Sequence, residues 1–114
     1  MSRRDPAVSL LQMREHAHEA VELMRGRSRG DLDSDRLLGL ALVRLLEING
    51  EAAGRVPAEE QARRPSVPWP SIVGLRNRLI HGYDNIDYDI VWEIVTTDLP
   101  VLVSELSRSL PDQG

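Results

Sequence analysis

The chain has 114 residues, a formal net charge of −4 and no cysteine. This length is typical of one domain, so we expect residues 1–114 to form a single domain. The absence of cysteine excludes a disulfide framework, a thiolate metal site and a cysteine nucleophile. The acidic balance argues against nucleic-acid binding through the overall charge, so an RNA substrate would need a local cluster of cations.

The apolar residues are mainly aliphatic: the chain has no Phe, and aromatic residues make up only 4% of it. This composition favours packed helices over a sheet, and we expect an all-α fold, an up-and-down bundle of four to five helices. The sequence contains no apolar span of membrane length, and residues 1–6 lead into an amphipathic segment rather than a signal-peptide core. We therefore expect a cytoplasmic protein without membrane contact.

The first predicted helix runs from Pro6 to about Met24, where apolar residues recur at helical spacing. His16 and His18 are two residues apart in it, so they point to different sides and do not suit a metal pair. Residues 25–30 carry three arginines and two glycines. We expect a solvated loop there, with contacts to phosphates as the alternative.

The second predicted helix begins after a cap at Asp31, Asp33 or Ser34 and runs to about Gly54. It is the most hydrophobic part of the chain and leaves few exposed positions. Such a helix is covered on most sides, either by the domain's own helices or by a second subunit. The sequence therefore makes this helix a candidate dimer interface.

Three prolines between residues 65 and 70 separate a short helix, predicted at 57–64, from a helix predicted from Trp69 to His81. Asp87 is the predicted cap of the helix that follows. Pro100 must kink that helix or begin another one.

Arg76 occupies an unusual position on the helix that begins at Trp69. With an advance of about 100° per residue, it falls in the middle of an apolar stripe. An arginine in such a place either extends its charged group to solvent or meets an anion, a carbonyl or another chain. Arg78 points the other way and is interpreted as a solvated arginine. His81 and Tyr83 lie on either side of the predicted helix terminus. The stripe consists of Trp69, Ile72, Val73, Leu79 and Ile80.

The arrangement Arg76-x4-His81-x-Tyr83 resembles the Arg-x4-His-x-Tyr signature of HepT-like proteins in the HEPN superfamily. Residues 48–52 are similar to the Gly-Glu-Ala segment that ends the central helix of those proteins, and 68–69 to their Pro-Trp entry. Residues 89–95 resemble the segment that follows the motif. The resemblance extends from about residue 36 to 106.

The resemblance implies a homodimer whose two motifs face a shared cleft, and a metal-independent endoribonuclease that cleaves mRNA or tRNA without a cofactor. It implies the toxin of a toxin–antitoxin pair, with a minimal nucleotidyltransferase (MNT) antitoxin that adenylylates the motif tyrosine. On this basis Arg76 and His81 are catalytic, Asn77 supports them and Tyr83 is the AMPylation site.

The chemistry of these residues is consistent with that role. An imidazole with a pKa of about 6.5 can move the 2′-hydroxyl proton or protonate the leaving oxygen at neutral pH. A guanidinium can stabilise the negative charge that develops on the phosphate. Arg76 and His81 are about 140° apart on one ideal helix, so one copy does not easily place both on a single phosphate. Two copies related by a two-fold axis can do so.

Two other interpretations stay open at this point. A non-enzymatic nucleotide- or substrate-binding subunit that partners a nucleotidyltransferase would need the same cleft and Arg76, but not a titrating His81. A purely structural dimerisation domain would tolerate His81→Ala without consequence.

Overall fold

The computed structural model describes residues 5–79 and 85–110, and within these ranges it leaves out the side chain of Arg76. Every regular element in the described ranges is a helix, which confirms the predicted all-α fold. No helix in these ranges has the length and apolar character needed to cross a bilayer. The elements are α1 (Pro6–Met24), α2 (Asp31–Ser34), α3 (Arg36–Gly54), α4 (Ala58–Ala62), α5 (Trp69–Val73), α6 (Leu75–Leu79), α7 (Tyr88–Glu93), a π-helical turn (Ile94–Asp98) and α8 (Leu99–Ser109).

Helices α1 and α3 form the centre of the bundle. They pack along each other, with α8 on α1 and with α5 and α6 on α3. Asn49 is completely buried between them, and its Nδ2 donates a hydrogen bond to the Met13 carbonyl oxygen at 2.8 Å. This bond fixes the register of α3 against α1. The surrounding core includes the fully buried side chains of Leu10, Met13, Leu42, Leu46, Ile94, Leu102 and Leu106.

The start of the long hydrophobic helix differs from the prediction. Asp31, Asp33 and Ser34 belong to the short helix α2, and Asp35 caps α3 by accepting a hydrogen bond from the Leu38 N–H at 3.1 Å. Asp35 has an extended backbone (φ −114°, ψ 93°), so α2 and α3 are separate helices. Four neighbouring residues of capping type made the sequence locally ambiguous.

The prediction of one continuous helix from Trp69 to His81 is wrong in its middle. Helices α5 and α6 are separate, and Gly74 between them has φ −85° and ψ 8°. Glycine has a low helix propensity, so a helix breaks readily at this position. The α5–α6 junction also approaches α3 closely, since a Cβ at Gly50 would lie only 3.0 Å from the Ile72 carbonyl oxygen.

Arg64 connects the entry of α5 to the end of α8. Its Nε donates to the Ser109 Oγ at 3.0 Å, and its Nη1 donates to a Glu60 carboxylate oxygen at 3.3 Å. Its carbonyl oxygen accepts a hydrogen bond from the Trp69 Nε1–H at 3.1 Å. The side chain of Arg64 is nearly buried, and these bonds give it a structural role.

Pro100 follows the π-helical turn. The Leu99 N–H donates to the carbonyl oxygen of Ile94, one residue farther back than in an α-helix. Because proline has no N–H, the regular ladder cannot continue through position 100. The prediction that Pro100 kinks the helix or begins another one is confirmed, since α8 starts here.

Candidate active site

Helix α6 carries Arg76 and Asn77, the first residues of the motif, and lies against α3 at Gly50. A Cβ at Gly50 would lie 3.6 Å from the Leu75 Cβ and 3.8 Å from the Val73 carbonyl oxygen. Leu75 and Leu79 are fully buried, so the inner side of α6 belongs to the core. A close helix crossing therefore holds the motif helix in place.

The outer side of the same region is exposed. Val73 is 43% exposed, and Asn77 also lies at the surface. The predicted apolar stripe of this helix is therefore not uniform. The break at Gly74 leaves Val73 outside, although Trp69 and Leu79 are buried.

One side of α3 is also exposed to solvent among the described residues of a single copy. Leu37 is 78% exposed and Leu40 is 46% exposed. Since these positions follow helical spacing, they lie on one side of the helix. We call this set the α3 stripe. The α5–α6 junction crosses α3 at Gly50, which is buried and lies outside the stripe. The stripe consists of Leu37, Leu40, Arg44, Ile48 and Glu51.

The catalytic prediction falls largely outside the described residues. Arg76 lies in α6 next to Asn77, but its side chain and all of His81 and Tyr83 are outside the description. The pairing of Arg76 with His81, and the role of Tyr83, therefore stay predictions.

The structure describes the residues on either side of the segment that carries His81. The backbone N–H of Asp87 donates to the Leu79 carbonyl oxygen at 2.9 Å. Asp87 therefore lies beside the last residue of α6. As predicted, the Asp87 carboxylate caps α7, since it accepts from the N–H groups of Asp89 and Ile90 at 3.1 and 3.3 Å.

Sequence reasoning missed a contact that fixes the first residue of α7. The Tyr88 ring lies on α3 at Gly39, where an added Cβ would be 2.9 Å from the Tyr88 Oη and 3.0 Å from its Cε1. Any side chain at position 39 would therefore displace the ring. A glycine inside a hydrophobic helix indicates a close approach, but the sequence does not say of which residue.

The three arginines of the loop between α1 and α2 are paired with carboxylates. Arg25 binds Glu22, and Arg27 lies 3.4 Å from Asp35. The Nε of Arg29 donates to the Asp89 Oδ1 at 2.7 Å, and its Nη1 lies 3.1 Å from Asp33. The contact with Asp89 joins this loop to the first turn of α7. These pairs support the loop interpretation over phosphate binding.

Arg78 is not the ordinary solvated arginine that the sequence indicated. It is half-buried, and its Nη1 is buried without a hydrogen-bond partner among the described residues. Burial raises the pKa of Asp98 above its ordinary value, while the charge of Arg78 lowers it and that of Glu93 raises it. Arg78 therefore lies close enough to Asp98 for their charges to interact.

The two histidines of α1 lie on different sides of that helix. His16 is half-buried, with its Nδ1 2.7 Å from the Gln12 carbonyl oxygen, and His18 is exposed. Residues 5–79 and 85–110 contain no group of three or more His, Asp or Glu side chains that suits a metal ion. Because His18 is exposed on α1 and lies outside the motif, it provides a matched control for substitutions of His81.

The chain matches known proteins over most of its length. It is 36% identical over 106 residues to a candidate RNase of Methanocaldococcus jannaschii, MJ1380. This match covers 93% of this chain and 97% of that protein. It is 38% identical over 90 residues to a candidate RNase of Caldanaerobacter subterraneus, covering 79% of this chain and 80% of that protein. A candidate ribonuclease HepT of Thermococcus cleftensis is 32% identical over 94 residues, 79% of this chain and 86% of that protein.

No solved structure matches this chain. The profile of one family, described as "Ribonuclease HepT-like", matches residues 13–109. This match spans most of the described helices and includes the motif of α6. The chain therefore belongs to the HepT-like ribonuclease family.

Proposed function

We propose that this protein is a metal-independent endoribonuclease and the toxin of a toxin–antitoxin pair. Its catalytic groups are Arg76 and His81, supported by Asn77. The observation that carries the proposal is the position of α6, which packs on α3 at Gly50 and exposes Asn77, while a different side of α3 carries the exposed stripe. Ribonuclease names among the relatives support the reaction class.

The active unit that we propose is a homodimer formed through the α3 stripe. Leu37 and Leu40 expose apolar surface that a second copy would remove from water. The last stripe residue, Glu51, follows Gly50 in the chain, and the α5–α6 junction crosses α3 at Gly50. On this basis an isologous contact along the stripe is proposed to bring the two α6 helices towards the same cleft. Arg76 from one copy and His81 from the other can then act on one phosphate.

In the proposed reaction, the 2′-oxygen of the substrate attacks the adjacent phosphorus, and the bond from phosphorus to the 5′-oxygen breaks. The imidazole of one His81 takes the 2′-hydroxyl proton, and an imidazolium or water returns a proton to the 5′-oxygen. Arg76 stabilises the extra negative charge on the phosphate oxygens in the transition state. The products are a 2′,3′-cyclic phosphate and a 5′-hydroxyl end.

A cleavage assay with purified protein and RNA in excess EDTA tests the proposal. Wild-type protein should cleave, and His81→Ala and Arg76→Ala should each lose at least about 10²-fold in kcat. Controls on α1, His18→Ala and Arg14→Ala, should retain activity. An RNA with a 2′-deoxy nucleotide at the cleavage site should resist. A wild-type protein inert towards RNA would instead favour the non-enzymatic binding subunit.

The proposed antitoxin is a minimal nucleotidyltransferase that adenylylates Tyr83. The phenolic oxygen attacks the α-phosphate of ATP, and pyrophosphate leaves. The chain has two tyrosines, and the hydroxyl of Tyr88 packs against α3 at Gly39, which supports Tyr83 as the acceptor. The added phosphate would pair with Arg76 or repel RNA.

Incubation with a purified minimal nucleotidyltransferase and labelled ATP tests this second step. Tyr83→Phe should abolish labelling, and Tyr88→Phe should retain it. Labelled wild-type protein should no longer cleave RNA, and co-expression of the partner should relieve growth arrest in a bacterial host. Labelled protein that still cleaves at the original rate would contradict the proposed inhibition.

A further inference from the structure

We propose that Gly39 is a positioning residue for the ribonuclease reaction. It acts through Tyr88 and the first turn of α7 on the segment that carries His81. This inference rests on the proposed function, because it concerns the same site. It assigns a role to a residue on α3 that lies outside the motif.

The first step of the argument is the closeness of the Tyr88 ring to α3. An added Cβ at Gly39 would be 2.9 Å from the Oη of Tyr88, 3.0 Å from its Cε1 and 3.1 Å from its Cζ. Ordinary carbon contacts begin near 3.4 Å, so a methyl group would push the ring away by about half an ångström. Only glycine at position 39 permits the observed position of the ring.

The second step is that the Tyr88 ring belongs to a turn held at several points. The Asp87 carboxylate caps this turn, and the Arg29 Nε contacts the Asp89 Oδ1 at 2.7 Å. The ion pair is exposed on the side of Asp89, so it contributes little to stability by itself. The contact of the Tyr88 ring with α3 at Gly39 is therefore the close-packed contact among those that hold the first turn of α7.

The third step connects this turn to the motif. The Asp87 N–H donates to the Leu79 carbonyl oxygen at 2.9 Å, so the cap of α7 is bonded to the last residue of α6 and sets one end of the intervening segment. Helix α6, held at Gly50, fixes the other end. A displacement of Tyr88 therefore changes the position of one end relative to the other. His81 lies between them in the sequence.

The size of the effect follows from the geometry. A misplacement of about 1 Å at a catalytic group can cost about 10²-fold in rate, so half an ångström corresponds to about tenfold. Because the change affects alignment rather than a substrate contact, it should appear in kcat and leave KM within about twofold.

Gly39→Ala tests the inference, with Gly54→Ala as the matched control. Both glycines lie on α3, but a Cβ at Gly54 meets no atom within 4 Å. The first readout is kcat and KM for RNA cleavage. The second readout is the NMR spectrum of the three imidazoles, in which His16 and His18 serve as internal references and His81→Ala assigns the third signal.

We expect Gly39→Ala to lower kcat about tenfold and to shift the His81 signal, and Gly54→Ala to change neither. Tyr88→Ala should reproduce the loss in case Gly39→Ala does not fold, and Tyr88→Phe, which keeps the ring, should retain activity. Equal kcat for the two glycine variants, with an unmoved His81 signal, would overturn the inference. If wild-type protein does not cleave RNA, the proposed function fails, and the NMR comparison still tests the positioning role.

Discussion

The proposed dimer can be tested by placing charge on the α3 stripe. The double variant Leu37→Glu/Leu40→Glu changes two side chains that are 78% and 46% exposed, so it should leave the folded single copy intact. In a dimer formed through the stripe, both copies would bury these side chains. The variant should therefore abolish association without unfolding the bundle.

The magnitude follows from the exposed fractions. Complete burial of a leucine side chain stabilises by about 2 kcal/mol. Scaled by the exposed fractions of Leu37 and Leu40, their burial in the dimer contributes about 2.5 kcal/mol per copy to the free energy of association. Because both copies bury the same side chains, the total is about 5 kcal/mol. This corresponds to an increase in the dimer Kd of about 10³- to 10⁴-fold in the variant. Desolvation of the new carboxylates would add to the loss.

Sedimentation velocity over a concentration series measures this change, and Val101→Glu is the control. Val101 is an exposed apolar residue on α8, 49% exposed, and lies on a different helix. The control should dimerise as the wild type does. A wild-type protein that is monomeric throughout, or a stripe variant with the same Kd as Val101→Glu, would refute the reasoning. Loss of dimer should also abolish RNA cleavage.

Two further predictions concern stability. Asn49→Ala should destabilise the protein by about 1–2 kcal/mol, about 5–10 °C in Tm, since it removes a buried hydrogen bond between α3 and α1; an unchanged melting curve would disprove the role of that bond. Burial raises the pKa of Asp98 above 3.8, so the folded state binds more protons than the unfolded chain. Wild-type Tm should therefore fall relative to that of Asp98→Asn as pH rises from about 3.8 through the raised pKa. A difference that is independent of pH would contradict this assignment.

The sequence predicted the elements whose determinants are local. Apolar periodicity located α1 and the body of α3, and the carboxylate of Asp87 was identified as the cap of α7. The effect of Pro100 followed from its missing N–H. These features depend on residues within one or two turns, so the local sequence contains the necessary information.

The errors arose where a distant contact decides the local structure. Gly74 breaks the motif helix at the point where its backbone meets Gly50 on α3, and periodicity alone does not contain that contact. Arg78 was interpreted as solvated because of its position on an ideal helix, but it is half-buried near Asp98. The position of Tyr88 on Gly39 likewise joins residues far apart in the chain.

The candidate site itself was predicted through the motif and not through geometry. Arg76, His81 and Tyr83 were selected by their spacing, and these positions lie within residues 13–109, which match the family. Their roles depend on the position of a second copy and of a substrate. Neither position can be deduced from the spacing of residues in one chain.

The hydrogen bond between the Asp87 N–H and the Leu79 carbonyl oxygen has an evolutionary consequence. This bond joins backbone atoms of the described residues on either side of the motif segment, so the bond itself does not depend on which side chains residues 80–84 carry. A descendant without the imidazole that we propose to be catalytic would keep this backbone bond and the exposed α3 stripe. We therefore expect that a substitution at position 81 can remove the proposed RNA cleavage and leave the bundle folded.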